Sequence, residues 1–453
     1  MERDAIDFGK TEITSLFIRL FVPTLLGLLL TAVVTLADGI FVGKGVGSDA
    51  LAAINIAAPM FQVSMGISLM FASGVSIVAA VHLARDNVKA ACINVTQAMA
   101  FATLLMLLVA CVVYAFPTRL ALLFGGSWRL MPYIVDYLFY VMPALVAGVP
   151  SVVGMFVIRL DGSPNFALAG IAFGSVLNIV LDWIFVFHLG LGIRGAALGT
   201  SISVITGAGL MLYYMWFRAT TLRFYRLKLS MKSLRLTIRN IGYMMRVGFP
   251  TFVGETAMLC MMVAGNYMFI GHLGEDGVAA FSVACYMFPL VFMLGSAVAQ
   301  SAQPIVSYNY SMGDGQRIRR TLRLSLLVAI VGGLLTTLFG MFLCSPLIGL
   351  FLSPGTAAYE IAVGGFPLFA LSFLFFTLNL VLIAYYQALE RSRPATFFMS
   401  LRGYFFVVPV FLLLPRWLGD DGLWLAVPLS EFLTFCVILA FILLRRASVA
   451  GKR

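Results

Sequence analysis

Long apolar stretches, separated by short charged or Gly/Pro-rich breaks, are the feature that most constrains this chain. A helix needs about 20 predominantly apolar residues to cross a bilayer. Of the 453 residues, 61% are hydrophobic and only 11% are charged, whereas a soluble domain carries about 25% charged residues. The pattern therefore excludes a soluble enzyme, a disordered chain and a nucleic-acid binder. It predicts an all-α integral membrane protein.

Twelve transmembrane helices are expected from the positions of these stretches. The predicted spans are residues 15–43, 51–83, 94–116, 133–158, 165–188, 195–217, 240–271, 277–310, 322–344, 359–387, 395–415 and 422–444. The N-terminal segment is acidic and polar, unlike a cleaved signal peptide, which has a basic segment ahead of a short apolar one. The first helix is therefore expected to insert without cleavage.

The distribution of basic residues predicts the orientation of these spans. Of the 30 Lys and Arg residues, 23 fall on the side of the N-terminus, 5 fall on the opposite side, and Arg19 and Arg402 lie within spans. Cytoplasmic loops of membrane proteins carry an excess of Lys and Arg, so both termini are expected in the cytoplasm. The net charge of +11 is therefore attributed to the basic residues that set the membrane orientation. The central basic run is interpreted as a connection lying against anionic lipid headgroups.

An internal repeat divides the chain into two halves of six spans. IRLFVPTLLG at 18–27 matches MRVGFPTFVG at 245–254, and DGIFVGKGVGSDALAA at 38–53 matches NYMFIGHLGEDGVAA at 266–280. We assign residues 1–217 to an N-terminal lobe, 218–239 to a basic cytoplasmic connection and 240–453 to a C-terminal lobe. Because each half has an even number of spans, the repeats are parallel. Such repeats place a cavity between two bundles in alternating-access transporters.

Four acidic residues are predicted to lie inside the membrane. An ionisable side chain at the centre of a spanning helix costs roughly 2.5–3.5 kcal/mol on insertion scales, so it usually faces a cavity and carries function. These acids are Asp38, Asp182, Glu255 and Glu431.

The predicted coupling site lies in the N-terminal half. Asn178 and Asp182 are four residues apart and therefore share one helix face. Thr200 or Ser201 from the next helix and Asp38 from the first could join them. Carboxylate, amide and hydroxyl oxygens together can hold a proton or a small cation such as Na⁺, although a structural hydrogen-bonded network would show the same spacing. Pro23 frees a backbone carbonyl one turn earlier, so the first helix can bend there.

A substrate cavity is predicted around the first helix of the second half. Glu255 is followed there by several methionines, including Met258 and Met262. An acid among adaptable Met and aromatic side chains suits lipophilic cations of varied shape, although any single Met could equally be an ordinary packing residue. The side chains expected to line this cavity are Glu255, Met258, Met262, Asn266, Tyr286, Gln303 and Asn379.

These motifs together resemble those of the bacterial branch of the multidrug and toxic compound extrusion (MATE) transporters, over roughly residues 10–445. They are GIFVGKGVGSDALAA after Pro23 and Asp38, NIVLDWIFV around Asn178 and Asp182, QPIVSYNYSMGD at 303–314, and the segments YYQALERSRPA and GLWLAVP. The resemblance implies a MATE-like bundle of two six-helix lobes arranged in a V.

The resemblance also implies roles for individual residues. The positions that match the family's proton or sodium site are Asp38, Asn178, Asp182 and Thr200. Some members use a further acid on the seventh helix, matching Glu255, together with an aspartate on the tenth helix. The tenth helix here has no acid, only Asn379. This departure weakens a sodium site in the second half and favours the first.

The function expected from the resemblance is that of a secondary active multidrug efflux antiporter in the bacterial inner membrane. It would export lipophilic, cationic compounds in exchange for H⁺ or Na⁺ by alternating access. We expect a monomer embedded in lipid, with no enzymatic activity, no nucleic-acid partner and no cofactor besides the coupling ion. A flippase for lipid-linked saccharides and a passive channel are the alternatives. The sequence leaves open the substrate and the choice between H⁺ and Na⁺.

Overall fold

The computed structural model describes residues 7–46, 48–124, 128, 130–227 and 230–450. Twelve helices in this part of the chain are long and apolar enough to cross a membrane, and none of its residues lies in a strand. The predicted all-α fold and the predicted number of spans are therefore confirmed.

The first half of the chain forms six of these helices, with one short helix, Pro117–Leu123, in a connection. In chain order they are α1 (Ile13–Gly45), α2 (Ser48–Ala84), α3 (Val88–Ala115), α4 (Met131–Leu160), α5 (Pro164–Asp182, continued by the π-helical segment Trp183–His188) and α6 (Gly192–Tyr213, continued by the π-helical segment Tyr214–Arg218). A proline lies in the first turn of both α4 and α5, where a backbone N–H would have no partner within the helix.

The second half forms the other six, with the short helix Cys344–Ile348 ahead of the fourth. They are α7 (Met231–Gly274), α8 (Asp276–Ser311), α9 (Gly315–Phe342), α10 (Ala357–Ala370 and Ser372–Ala388), α11 (Ser392–Ser400, the π-helical segment Leu401–Phe406, Val407–Leu413 and Pro415–Leu418) and α12 (Asp420–Ala450). Gly274, with φ 67°, separates α7 from α8, since a positive φ interrupts a helix and glycine adopts it without steric cost.

The helices pack into two compact units. Unit 1 comprises Met1–Phe252 and Pro304–Ile318, and unit 2 comprises Val253–Gln303 and Arg319–Arg453. The beginning of α7 and the end of α8 therefore fold with the N-terminal half, and α7 begins at Met231, inside the basic connection 218–239.

Within unit 1, α2 and the beginning of α7 pack with their backbones in contact. A Cβ at Gly74 would overlap the carbonyl oxygen of Met244, and a Cβ at Gly248 would overlap the carbonyl oxygen of Met70. Small residues allow membrane helices to approach this closely. The two glycines therefore set the distance between these helices from both sides.

The end of α8 is held in unit 1 by a hydrogen-bond network around Arg317. Arg317 Nη2 donates to the backbone carbonyls of Phe8, at 3.0 Å, and Thr11, at 2.7 Å. Arg317 Nε donates to Asn309 Oδ1 at 2.9 Å, and Asn309 Nδ2 donates to the Phe8 carbonyl at 3.3 Å. Asn309 belongs to the QPIVSYNYSMGD segment. This segment thus fastens the chain ahead of α1 to the end of α8.

The central basic connection is anchored by a buried carboxylate, that of Asp161, directly after α4. The backbone N–H groups of Thr221 and Leu222 donate to its Oδ1 at 2.9 and 2.7 Å, and the Tyr214 hydroxyl donates to its Oδ2 at 2.8 Å. Hydrogen bonds to an ionised acceptor are among the stronger ones in proteins. The start of the connection is therefore fixed to the turn between α4 and α5.

Unit 2 is built around a cluster of buried aromatic rings. Phe288 packs edge-on against Phe376 with ring centroids 4.5 Å apart, and Phe269 stacks on Phe281 at 4.6 Å. The cluster includes further buried rings on α10, α11 and α12, which are Phe366, Phe369, Phe373, Phe411 and Trp424. Such ring pairs have preferred geometries, so the cluster fixes the rotation of these helices about their axes and thereby positions their polar residues.

Candidate functional site

Two carboxyl groups, from α1 and α5, meet inside unit 1. The side chains of Asp38 and Asp182 are close enough to share a hydrogen bond, and Asp182 has no exposed surface. Asn178, one turn earlier on α5, donates from Nδ2 to Asp182 Oδ2 at 3.5 Å. The Oδ1 atoms of all three side chains have no hydrogen-bond partner among the described residues. The two carboxylate oxygens can accept a proton, and all three buried oxygens can coordinate a small cation.

Asp182 lies at the point where α5 changes its helical geometry. The α-helical part ends at Asp182, and the π-helical segment Trp183–His188 begins with the next residue. π-helical turns inside α-helices are rare and frequently occur at functional sites, since they alter the direction of neighbouring side chains. On the other side of the contact, a Cβ at Gly45 of α1 would overlap Val186, so α1 packs closely against this segment.

Tyr137 on α4 also lies at this site, although no sequence pattern predicts it. It is 6% exposed and lies within electrostatic range of both Asp38 and Asp182. The preceding residue, Asp136, forms an ion pair with Arg194 at 2.8 Å on a partly exposed surface. Tyr137 has no sequence signal of its own, because its role depends on the contact of α4 with two other helices.

The fourth residue of the predicted coupling site, Thr200, lies on α6 and donates from Oγ1 to the Ala196 carbonyl of the same helix at 3.0 Å. Its neighbour Gly199 packs directly against the Asp182 side chain. A Cβ at Gly199 would overlap Asp182 Oδ1. Gly199, which no sequence pattern predicts either, leaves the space that the Asp182 carboxylate occupies.

Pro23 is buried inside α1, which continues on both sides of it. Proline lacks the N–H that would bond the carbonyl of Arg19 and therefore weakens the helix at this point. The next residue, Thr24, donates from Oγ1 to the Leu20 carbonyl at 2.6 Å. Proline and a threonine bonded to its own backbone are both typical of helices that bend.

In unit 2, α7 presents part of the predicted substrate cavity on one face. Glu255, Met258, Met262 and Asn266 are spaced by three or four residues, which places them on one side of the helix. Glu255 is 6% exposed, both methionines are half-buried, and Asn266 is exposed.

The remaining predicted cavity residues lie on α8 and α10. Gln303 is buried and donates from Nε2 to Gln387 Oε1 at 3.1 Å. Asn379 is also fully buried. The side chain of Tyr286 lies outside the described side chains.

Asn379 belongs to a buried ionic cluster formed by α10, α11 and α12. Arg402 Nε lies 2.6 Å from Glu431 Oε1, and these side chains are only 10% and 5% exposed. Asn379 Nδ2 donates to Glu431 Oε2 at 2.8 Å and to the Glu431 carbonyl at 2.8 Å. The guanidinium carbon of Arg402 lies 3.9 Å from the centroid of the Phe376 ring. The intramembrane acids therefore differ: the pair in unit 1 is formed by two acids, whereas Glu431 in unit 2 has a cationic partner.

The sequence matches the MatE family over residues 23–184 and again over residues 250–412. A curated relative named Multidrug export protein MepA, from Staphylococcus saprophyticus subsp. saprophyticus, is 23% identical, and the alignment covers 96% of this chain and 94% of the relative.

Two solved structures have a similar fold at 20% identity, with a TM-score of 0.89 and 98% of both chains covered. One is a multidrug resistance MATE family transporter of the MOP superfamily in an outward-facing conformation. The other is a MOP superfamily transporter from Pyrococcus furiosus, in which the reverse polarity of the binding pocket suggests a different function.

These matches confirm the resemblance inferred from the motifs and the fold of twelve helices in two six-helix repeats. One family match falls in each half of the chain, as the internal repeat predicts. The chain belongs to the MatE family, and it is a membrane transporter of that family rather than an enzyme.

Proposed function

We propose that the protein is a secondary active multidrug efflux antiporter of the bacterial inner membrane. It acts as a monomer, with both termini in the cytoplasm, and exports lipophilic, cationic compounds in exchange for H⁺ or Na⁺. The observation that carries this proposal is the contact between the Asp38 and Asp182 side chains inside unit 1. The relative named as a multidrug export protein supports the choice of substrate class.

Coupling follows from the electrostatics of the pair. Two adjacent carboxylates repel each other strongly away from water unless a proton or a cation lies between them. An ion that enters from outside binds there, and the unpartnered Oδ1 atoms of Asn178 and Asp182 supply further ligands. Release of the ion to the cytoplasm restores the repulsion. The protein thus has two charge states at one site, which is the minimum that ion-driven transport requires.

The movement that couples the ion to the substrate is a bend of α1 at Pro23. Asp38 lies fifteen residues after Pro23 on the same helix, so a change in the strength of its contact with Asp182 is transmitted along α1. A helix that lacks one backbone hydrogen bond bends at a lower energetic cost than an intact one.

Substrate is held by the face of α7 that carries Glu255, Met258 and Met262. An acid attracts a cation, and half-buried Met side chains adapt to ligands of different shape. For the solved Pyrococcus furiosus transporter, the reverse polarity of the binding pocket suggests a different function.

The test is transport by the purified protein in proteoliposomes. Vesicles contain a fluorescent lipophilic cation, ethidium, and a pH gradient or an Na⁺ gradient is imposed separately at zero membrane potential. We expect ethidium to move against its own gradient with one of the two ions, and each proton exchanged supports a roughly tenfold substrate gradient per pH unit. Equal flux with and without both gradients would indicate a passive channel, and movement of a fluorescent lipid-linked saccharide instead of ethidium would indicate a flippase.

Replacement of Gly199 by Ala is expected to slow ion-driven efflux by about 10- to 100-fold, because small displacements of a reacting group have effects of this size. The added Cβ would overlap Asp182 Oδ1 and move the carboxylate away from Asp38. The measurement is the initial rate of ethidium efflux under the gradient that drives the unmodified protein.

Gly207→Ala is the matched control for this prediction. Gly207 lies on the same helix, but a Cβ there meets no atom within 4 Å, and alanine is the better helix former by about 1 kcal/mol. Gly207→Ala should transport like the unmodified protein. Equal slowing in both variants would show that α6 merely tolerates no substitution, and the assigned role of Gly199 would be wrong.

A further inference from the structure

The side chain of Arg402 is held in unit 2 in the way a receptor holds an organic cation. Its Nε contacts the Glu431 carboxylate at 2.6 Å, its guanidinium carbon lies 3.9 Å from the centroid of the Phe376 ring, and its Nη1 lies 3.6 Å from Met399 Sδ. A carboxylate, an aromatic face and a thioether are the groups that bind lipophilic cations. The guanidinium of Arg402 thus occupies the position at Glu431 that a free cation would take.

The helices of the second half that correspond to α1 and α5 carry different residues from those of the acid pair. Asp38 on the first helix of the first half aligns with Asn266 on the first helix of the second half. The fifth helix of the first half carries Asp182 directly before a π-helical segment, whereas the fifth helix of the second half carries Arg402 within one. At that offset of 228 residues Asp182 corresponds to Val410, so the positions that match the two acids hold Asn266 and Val410 in the second half.

The groups around Glu431 support this assignment. Glu431 is buried, and both of its carboxylate oxygens accept hydrogen bonds, one from Arg402 and one from Asn379. The amide oxygen of Asn379, in contrast, has no hydrogen-bond partner among the described residues. A free cation in place of the guanidinium could therefore be coordinated by the Glu431 carboxylate and by the Asn379 amide oxygen.

Fold stability alone does not explain the pair. A buried ion pair is often no more stabilising than apolar residues of similar volume. The helix that carries Arg402 also contacts the helix that carries the second acid of unit 2, since Thr256, next to Glu255 on α7, accepts a hydrogen bond from the Tyr404 hydroxyl of α11 at 2.7 Å. Glu255 is therefore the other acid of unit 2 at which an ion could bind. An experiment must distinguish ion binding at Glu255 from ion binding at Glu431.

We propose that Arg402 is a tethered cation that occupies the coupling-ion position at Glu431, so that Glu431 exchanges no ion during transport. Arg402 is thus a residue that sets the number of ions coupled to each substrate. This inference rests on the proposed antiport, and it deepens that function by restricting which intramembrane acids take part.

The experiment measures the number of ions exchanged per ethidium molecule. Proteoliposomes are held at zero membrane potential with K⁺ and valinomycin, and the pH or Na⁺ gradient that stops net ethidium flux is determined for a series of ethidium gradients. The slope gives the ion number directly. A slope of zero in the unmodified protein would contradict the proposed antiport itself, before any variant is compared.

Two variants then test the role of Arg402. The double variant Arg402→Met with Glu431→Gln removes both charges and is expected to keep the slope of the unmodified protein. The single variant Arg402→Met leaves Glu431 without its cation and is expected to gain one ion per substrate. A lower slope in the double variant would overturn the proposal by showing that Glu431 is a coupling acid.

The slope measured for Arg402→Met alone also tests the proposal. A slope no higher than that of the unmodified protein would show that no free ion takes the place of the guanidinium. A gain that persists in the double variant would assign the additional ion to Glu255 instead. Either result overturns the proposal. If Arg402→Met alone fails to fold, the slope of the double variant still decides whether Glu431 exchanges an ion.

Discussion

Asparagine at position 38 or 182 is expected to abolish ion-driven efflux while the protein remains folded. Asn has nearly the same shape as Asp and hydrogen-bonds in the same places, but it carries no charge and binds no proton at physiological pH. Either substitution leaves a single carboxylate, so the repulsion between Asp38 and Asp182 that drives the cycle disappears. In the unmodified protein the ion gradient should support a roughly tenfold ethidium gradient per pH unit for each proton exchanged. In either variant it should support no ethidium gradient.

The matched control is Asp136→Asn. Asp136 is an acid of the same unit, but its side chain is 34% exposed and pairs with Arg194, and a surface ion pair contributes only about 0–1 kcal/mol. This variant should transport at the rate of the unmodified protein. Undiminished efflux by both Asp38→Asn and Asp182→Asn would exclude the acid pair as the coupling site.

The single substitution Glu431→Gln is expected to destabilise the protein by about 3–5 kcal/mol, because it leaves the buried guanidinium of Arg402 without a counter-charge. Glu431 and Arg402 are both nearly inaccessible to solvent, so water cannot replace the lost carboxylate. Thermal unfolding in detergent should show a clearly lower midpoint for this variant.

Two comparisons identify the cause of this loss. Glu360→Gln changes an exposed acid in the first turn of a unit 2 helix and should leave the midpoint nearly unchanged. The double variant Arg402→Met with Glu431→Gln should recover most of the lost stability, because it removes the unpaired charge as well. If the double variant is as unstable as Glu431→Gln alone, packing rather than charge determines the effect.

The two units show how the same fold uses intramembrane charge in different ways. In unit 1 the side chains of two acids, Asp38 and Asp182, lie next to each other, whereas in unit 2 the Glu431 carboxylate forms an ion pair with Arg402. An ionisable residue in a membrane helix is usually interpreted as functional. In this protein the interpretation of each acid depends on whether its side chain contacts another acid or a base.

Much of the fold could be predicted because lipid imposes simple rules on the sequence. Every spanning segment must be apolar for about 20 residues, so all twelve spans were found. Their ends were less accurate: α7 begins at Met231 and α9 at Gly315, several residues before the predicted starts at 240 and 322. These first turns carry basic residues, which lowers the hydrophobic signal although the backbone is already helical.

The candidate site could be predicted only in part. Asn178 and Asp182 were paired correctly because they lie on one helix, where a spacing of four residues determines the contact. Asp38 was expected to join them as another acid inside the membrane, and resemblance to the family supported that expectation. Tyr137 and Gly199 were missed, since each matters only through its distance to a side chain on another helix.

The sequence by itself determined that the chain lies in a membrane, that it crosses twelve times, that its halves are repeats and that acids lie in its interior. Apolar length and charge distribution along the chain carry that information, and neither depends on how the helices pack. The tertiary structure decided which acid meets another acid and which meets a base. Contacts between helices depend on the rotation of each helix about its axis, and that rotation is set by packing, through the glycines of unit 1 and the aromatic cluster of unit 2.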